Sequence, residues 1–182
     1  MSEKSKKVLI ISTSPRKGGN SDTLAEHFAK GAEAGGHQVE KISLYDKTIS
    51  FCRGCLACQK TQRCVIHDDA DIIAQKMLSA DVLVFATPVY YYEMSGQMKT
   101  MLDRANPLYA SDYAFRDVYL IATAADEDES AMHGAINGLE GWISCFSKAR
   151  LAGTVFGGGV EGPGEINGRS AIKTAYEMGK AV

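Results

Sequence analysis

Five short apolar runs rich in β-branched residues recur along the chain: KVLIIST (7–13), HQVEKISL (37–44), DVLVFATP (81–88), DVYLIATAA (117–125) and LAGTVFGGG (151–159). Three of them are nearly continuous in apolar residues, as strands buried on both faces must be. Helical spacing fills the gaps, with helices expected over 21–34, 69–79, 96–105, 130–148 and 165–180. The first repeats apolar residues at Leu24, Phe28 and Ala32, opens on a Thr23-x-x-Glu26 capping-box pattern and stops at Gly35-Gly36. Strands that alternate with helices require right-handed crossovers, so the chain is expected to form an α/β, doubly wound, five-stranded parallel sheet with helices on both faces. Its 182 residues suit one domain, 1–182, with a cysteine-rich insertion at about 50–66. Ligands of such sheets sit beyond the carboxyl ends of the strands, where the strand order reverses.

Charge narrows the partners. The net charge is −2 and the basic residues are spread along the chain, so no electrostatic footprint for nucleic acid is present. The apolar run Val8–Ile11 is far shorter than an export signal core or a membrane span, and a cytoplasmic protein without membrane contact is expected. His27, His37, His67 and His133 share no metal-ligand spacing, Trp142 reads as packing, and Asp103-Arg104 reads as a local ion pair at a helix end.

The loop after the first strand, STSPRKGGNSDT (12–23), is crowded with hydroxyls, amides and glycines. It joins the carboxyl end of a strand to the amino end of a helix, where free N–H groups and the helix dipole favour an anion. Ser14, Ser21 and Thr23 offer hydroxyl donors, and Arg16 and Asn20 add a guanidinium and an amide. Neither G-x-G-x-x-G nor G-x-x-x-x-G-K-[ST] is present, so the loop fits a single phosphate monoester better than a dinucleotide or ATP. After the third strand, TPVYYYEMSGQMKTMLDR (87–104) places Pro88, three tyrosines and Met94 at the same sheet edge, a set suited to stacking on a planar ring.

SPRKGGNS, ATPVYYYEMSGQMKTMLDR and the strand–helix alternation resemble the flavodoxin-like NAD(P)H-dependent FMN reductase family, over nearly the whole chain. The resemblance implies that Ser14, Arg16, Asn20, Ser21 and Thr23 bind the FMN phosphate. It also implies that Pro88, Val89, Tyr90, Tyr91, Met94 and Gly96 contact the ribityl chain or ring, with a third flavin-facing loop at Thr123–Asp126.

Four of the five cysteines fall within the thirteen residues CRGCLACQKTQRC, as Cys52-x2-Cys55-x2-Cys58-x5-Cys64. In a chain without an export signal such crowding points to metal or redox chemistry more than to disulfides. The spacing resembles the cluster-binding segment of the iron-sulfur flavoproteins, a branch of the same superfamily, and that resemblance implies four thiolate ligands for a 4Fe-4S cluster. It departs from the bacterial ferredoxin run in its last interval and in lacking the proline. A zinc site would ordinarily separate two C-x2-C pairs more widely, and reduced free thiols are the other open reading. Cys145, in the stripe Met132, Ile136, Leu139, Ile143 and Phe146, is expected to be a small buried residue.

The function expected from these resemblances is that of an FMN-dependent oxidoreductase that takes a hydride from NAD(P)H and passes electrons to a small-molecule or protein acceptor. With a cluster present, a ferredoxin-type carrier becomes a partner. A non-enzymatic flavodoxin-like carrier is the alternative, opposed by the SPRKGGNS loop, which lacks the flavodoxin T-x-T-G-x-T pattern, and by the small net charge. No acid or base of the protein is required for hydride transfer, and no catalytic residue is assigned. The exposed tyrosines beside a half-covered ring suggest a homodimer or homotetramer.

Overall fold

The computed structural model describes residues 5–182. Six strands and six helices follow in the order β1 (Lys7–Ser12), α1 (Asn20–Ala34), β2 (Gln38–Ser43), α2 (Cys58–Thr61), α3 (Asp69–Ser79), β3 (Val82–Tyr90), β4 (Glu93–Met94), α4 (Gly96–Arg104), β5 (Asp117–Thr123), α5 (His133–Ile143), β6 (Arg150–Gly157) and α6 (Ser170–Lys180). Five strands are parallel in the order β2-β1-β3-β5-β6, and β4 folds back antiparallel on the end of β3. This is the flavodoxin-like α/β order, with its reversal between β1 and β3.

Period-two alternation divides the strand side chains between two cores. Leu9, Ile11, Leu83, Phe85, Val118 and Leu120 face α3, α4 and α5. Val8, Ile10, Val82, Val84, Tyr119 and Ile121 face α1 and α6. Both faces of the sheet are therefore covered, which is why the central strands read as continuous apolar runs. The parallel register sets Val8 beside Val82 and Ser12 beside Ala86, so that the loop leaving β1 emerges alongside the last residues of β3, which runs on to Tyr90.

Element ends depart from expectation in four places, each for a local reason. The capping box does not form: α1 begins at Asn20, the Thr23 hydroxyl donates to the Gly19 carbonyl, and Glu26 pairs with Lys41. The fourth major helix begins as a 3-10 turn, Glu129–Met132, capped by the Asp128 carboxylate, and α5 ends at Ile143 where the N–H groups of Cys145 and Phe146 reach back only three residues. The last helix starts at Ser170, because the preceding segment carries Pro163 and the left-handed Gly164 and Gly168. The β3–β4 hairpin was not anticipated, since a two-residue strand has no period to read.

Helices α1 and α6 touch backbone to backbone. A Cβ at Gly31 would land on the Tyr176 carbonyl, and one at Gly179 on the Phe28 carbonyl. Neither obstacle is a flexible side chain, so the helices would have to separate. Gly31→Ala is expected to destabilise the fold by roughly 1–3 kcal/mol despite the better helix propensity of alanine, measured as a lower urea midpoint; an unchanged or higher midpoint would contradict the close approach.

Candidate functional site

The loops leaving β1, β3, β5 and β6 meet at the carboxyl edge of the sheet around a narrow cavity of about 60 Å³. Of the residues expected to bind a flavin, Ser14, Arg16, Asn20, Ser21, Pro88, Val89 and Tyr90 line it, and the anticipated third loop contributes Thr123, Ala124 and Ala125. The loop after β6 adds Val160, Glu161 and Pro163. Sequence reasoning missed that loop, although its run Gly157-Gly158-Gly159 and the following Glu-Gly-Pro-Gly marked a turn at the end of the last strand.

The polar groups around this cavity differ in how far they are committed. The Ser14 hydroxyl donates to the Arg16 carbonyl and accepts from the Arg16 N–H, closing the turn that aims the loop. Arg16 donates through Nη1 to the Glu161 carbonyl at 2.7 Å. Asn20 clamps the β6–α6 loop from both sides, donating to the Gly162 carbonyl and accepting from the Ile166 N–H. The Ser21 hydroxyl has no partner and is 1% exposed, in the first turn of α1. A buried hydroxyl without a partner beside unpaired helix N–H groups is an acceptor-seeking arrangement, and this donor set fits a phosphate.

Thr23, Tyr91, Met94 and Gly96 lie outside that cavity. Thr23 is one turn into α1 with its hydroxyl bonded to Gly19. Met94 is buried, with its methyl in the place a Gly138 Cβ would take. Gly96 opens α4 and lines a separate cavity of about 570 Å³ with Ile49, Phe51 and Lys99. Tyr91 is fully exposed, and both Tyr91 and Tyr92 hold left-handed backbone, φ 50° and 63°. The α4 amino end is tied to the sheet: Ser95 donates its N–H to the Thr87 hydroxyl, and its own hydroxyl meets that of Thr13 at 3.0 Å.

The cysteine segment surrounds a third cavity, of about 430 Å³, lined by Cys52, Cys55, Cys58 and Cys64 together with Trp142 and Tyr109. All four thiols are free. Among the described residues no three metal-ligating side chains meet at one point; the sulfurs line a volume. Three N–H groups point at them: the Asn106 amide donates to Cys58 Sγ at 3.0 Å, and the backbone N–H groups of Gly54 and Ile66 donate to Cys52 and Cys64 Sγ, each at 3.5 Å. Sulfurs spaced around a cavity and met by N–H donors fit a polynuclear cluster better than a single zinc ion, whose four sulfurs would each lie about 2.3 Å from it.

Cys145 opens onto the same cavity and is exposed, correcting its expected burial. With α5 ending at Ile143, residue 145 leaves the apolar stripe, and its thiol rests 3.7 Å from the Gly141 carbonyl. Trp142 packs as expected, stacked on Phe115 with centroids 5.9 Å apart.

Two ion pairs hold the segment. Arg104 does not pair with Asp103, which instead meets Lys99. Its guanidinium is 1% exposed and donates to both carboxylate oxygens of Asp68, to the Ser50 carbonyl and to the Ile66 carbonyl, at 2.7–2.9 Å. Asp71, 3% exposed, accepts two bonds from Arg63 and one from the Cys64 N–H. Burial acts to raise the Asp68 pKa, but the Arg104 hydrogen bonds and the N–H groups of Ser50 and Ala70 outweigh it and bring it down to about 2.

With the geometry of both cavities in hand, the comparisons with known proteins place the chain in a class. Residues 6–159 match the NADPH-dependent FMN reductase family, and the chain belongs to it. It is 40% identical over 102 residues to an iron-sulfur flavoprotein of Methanocaldococcus jannaschii, covering 56% of this chain and 53% of that one. An iron-sulfur flavoprotein of Methanosarcina thermophila is 32% identical over 111 residues, covering 61% and 58%. The chain thus spans about half the length of these curated relatives. Among solved structures, the azoreductase AzrA shares the fold with a TM-score of 0.72 at 18% identity, covering 97% of this chain and 100% of that one. No helix among the described residues is long and apolar enough to cross a membrane.

The depressed Asp68 pKa sets an acid limit. A carboxylate held below its ordinary value of 3.8 stabilises the fold above that pH, and the stabilisation is lost as pH falls through about 2. The shift corresponds to about 2 kcal/mol. The gap in urea stability between wild type and Asp68→Asn is therefore expected to be full at pH 5 and to narrow steadily from about pH 4 to pH 2; a gap independent of pH would remove the pair from this role.

Proposed function

We propose that the protein is an FMN-dependent oxidoreductase that takes reducing equivalents from NAD(P)H and passes them through bound flavin to a separate acceptor. The observation that carries this is the unpartnered Ser21 hydroxyl beside the α1 amino end, at the sheet edge where β1 and β3 diverge. When bound, FMN supplies the chemistry, accepting a hydride and releasing electrons singly or in pairs. The chain's residues do the holding. Ser21, the first N–H groups of α1 and the free edge of the Arg16 guanidinium take the phosphate. Ser14 shapes the loop, and Asn20 fixes the β6–α6 loop beside it. Pro88, Val89 and Tyr90 border the path toward the ring, and Tyr91 and Tyr92, exposed on strained backbone, present an apolar face for the ring's far side or for a second copy of the chain. Thr23, Met94 and Gly96 serve this site through helix, core and loop packing.

Replacing Ser21 and Arg16 together by alanine is expected to weaken FMN binding by about 100-fold or more, the worth of two hydrogen bonds to a charged group. Flavin fluorescence quenching during titration of the apoprotein measures it, and an unchanged Kd would remove the phosphate assignment.

A second reading adds to the first. We infer that Cys52, Cys55, Cys58 and Cys64 hold a 4Fe-4S cluster, which would let the protein exchange single electrons with a ferredoxin-type carrier. Support comes from the four free thiols lining one cavity, the N–H donors aimed at three of them, and the names of the relatives. Protein purified without oxygen is expected to contain about four irons per chain, and serine at any of the four positions should lower that number while FMN binding persists. Flavin-replete protein without iron would leave the segment a structural loop and the FMN reductase reading intact.

A further inference from the structure

Cys58 differs from the other three thiols. It is 8% exposed, whereas Cys52 and Cys55 are exposed and Cys64 is half-buried. It is the first residue of the short helix α2, and the chain entering that helix passes through left-handed Leu56. A sulfur in that setting is removed from water on the side facing the protein, and negative charge on it must be met by protein donors.

One side chain is placed to do so. Asn106 follows α4 after a single residue, at the start of a 3-10 turn whose next residue is Pro107. Its amide Nδ2 donates to Cys58 Sγ at 3.0 Å, the shortest of the three N–H···S contacts in the segment and the one made by a side chain. The amide makes no other hydrogen bond among the described residues. The α4 carboxyl end carries the buried Arg104 two residues earlier, and the Arg104 Nε is buried without a partner. The corner between α4 and the turn thus brings a neutral donor to Cys58 and a fixed positive charge to the base of the segment.

Resting on the cluster reading above, we propose that Asn106 is a positioning residue that sets the reduction potential of the cluster through Cys58. A donor to a ligand sulfur stabilises the electron-rich form more than the electron-poor one, since one added electron raises the negative charge on the sulfurs. Reduction at this site adds one electron and neither makes nor breaks a bond at Cys58. Removing the donor therefore disfavours the reduced form and lowers the potential. A carboxylate in the same place lowers it further, because it has no N–H to give and adds a negative charge beside the sulfur.

The test uses the full chain, purified anaerobically, with iron content, flavin content and an EPR-monitored dithionite titration as readouts. Asn106→Leu and Asn106→Asp are the variants. The expected result is wild-type iron and flavin content with a midpoint shifted to lower potential, further for Asp than for Leu. Midpoints equal to wild type in iron-replete variants would overturn the assignment and leave the cluster reading standing. Absence of iron from the wild type would overturn both. If Asn106→Leu loses iron, Asn106→Gln decides: it restores a donor, so wild-type iron with a near-wild-type midpoint supports the assignment, and loss of iron there too assigns Asn106 to packing alone.

Discussion

One buried guanidinium organises the side of the molecule that carries the thiols. Residues 51–67 bury only Cys58, so burial of apolar side chains cannot fix their path. Arg104 does it with hydrogen bonds. It takes the carbonyls of Ser50 and Ile66, which bracket the segment, and both oxygens of Asp68, the residue that caps α3. Asp68 also accepts from the Ser50 N–H. The two ends of the segment are thereby drawn to one point, and the loop projects from a closed neck. A buried charge is costly unless its donors are matched, and here four of its five N–H directions meet oxygen. Lysine at this position would supply a point charge without the planar fork that reaches two carbonyls and a carboxylate together.

The same helix connects that neck to the carboxyl edge of the sheet. α4 starts at Gly96, directly after the Ser95 cap that joins Thr13 and Thr87, and ends at Arg104. Nine residues at 1.5 Å each make a rod of about 13 Å, packed on the sheet through Met98, Met101 and Leu102. Thr13 belongs to the loop that leads to Ser14 and Arg16, and Thr87 precedes Pro88. Both ends of α4 are thus held by buried polar contacts, Ser95 with Thr13 and Thr87 at one end and Arg104 with Asp68 at the other. The cysteine segment lies well before α4 in sequence, but mechanically it continues the helix whose other end borders the sheet-edge loops.

The sheet was legible because its strands are buried on both faces and announce themselves as unbroken apolar runs, with Ile10 and Phe85 the centres of two such runs. The position of the loop from Ser14 to Ser21 at the carboxyl edge of the sheet was legible because it joins the end of β1 to the start of α1. What could not be read was pairing at a distance. Arg104 is adjacent to Asp103 in the chain and 36 residues from Asp68, and only the fold decides between them. Asn20 is expected from the sequence to meet a phosphate, and its contacts to Gly162 and Ile166, across 142 and 146 residues, had no local sign. Cys145 was misplaced by extending a 3.6-residue period past the point where α5 tightens and stops. In each case the partner or the exposure was decided by tertiary structure, which a local pattern does not carry.

Backbone strain separates the segments that serve packing from those that serve the two cavities. Outside glycine, left-handed backbone occurs among the described residues at Leu56, Gln62, Tyr91 and Tyr92. Each costs on the order of 1 kcal/mol, and glycine or asparagine would relieve it. Leu56, Tyr91 and Tyr92 are exposed as well, so their side chains recover little by burial. Folding alone gives no reason to keep large apolar residues in strained and solvent-facing positions. The positions themselves supply one. Leu56 and Gln62 flank α2 and turn the chain so that Cys55, Cys58 and Cys64 face one cavity, and Tyr91 and Tyr92 turn the β3–β4 hairpin beside the sheet-edge loops. Packing does not account for these conformations, and all four fall in the cysteine segment or the β3–β4 hairpin.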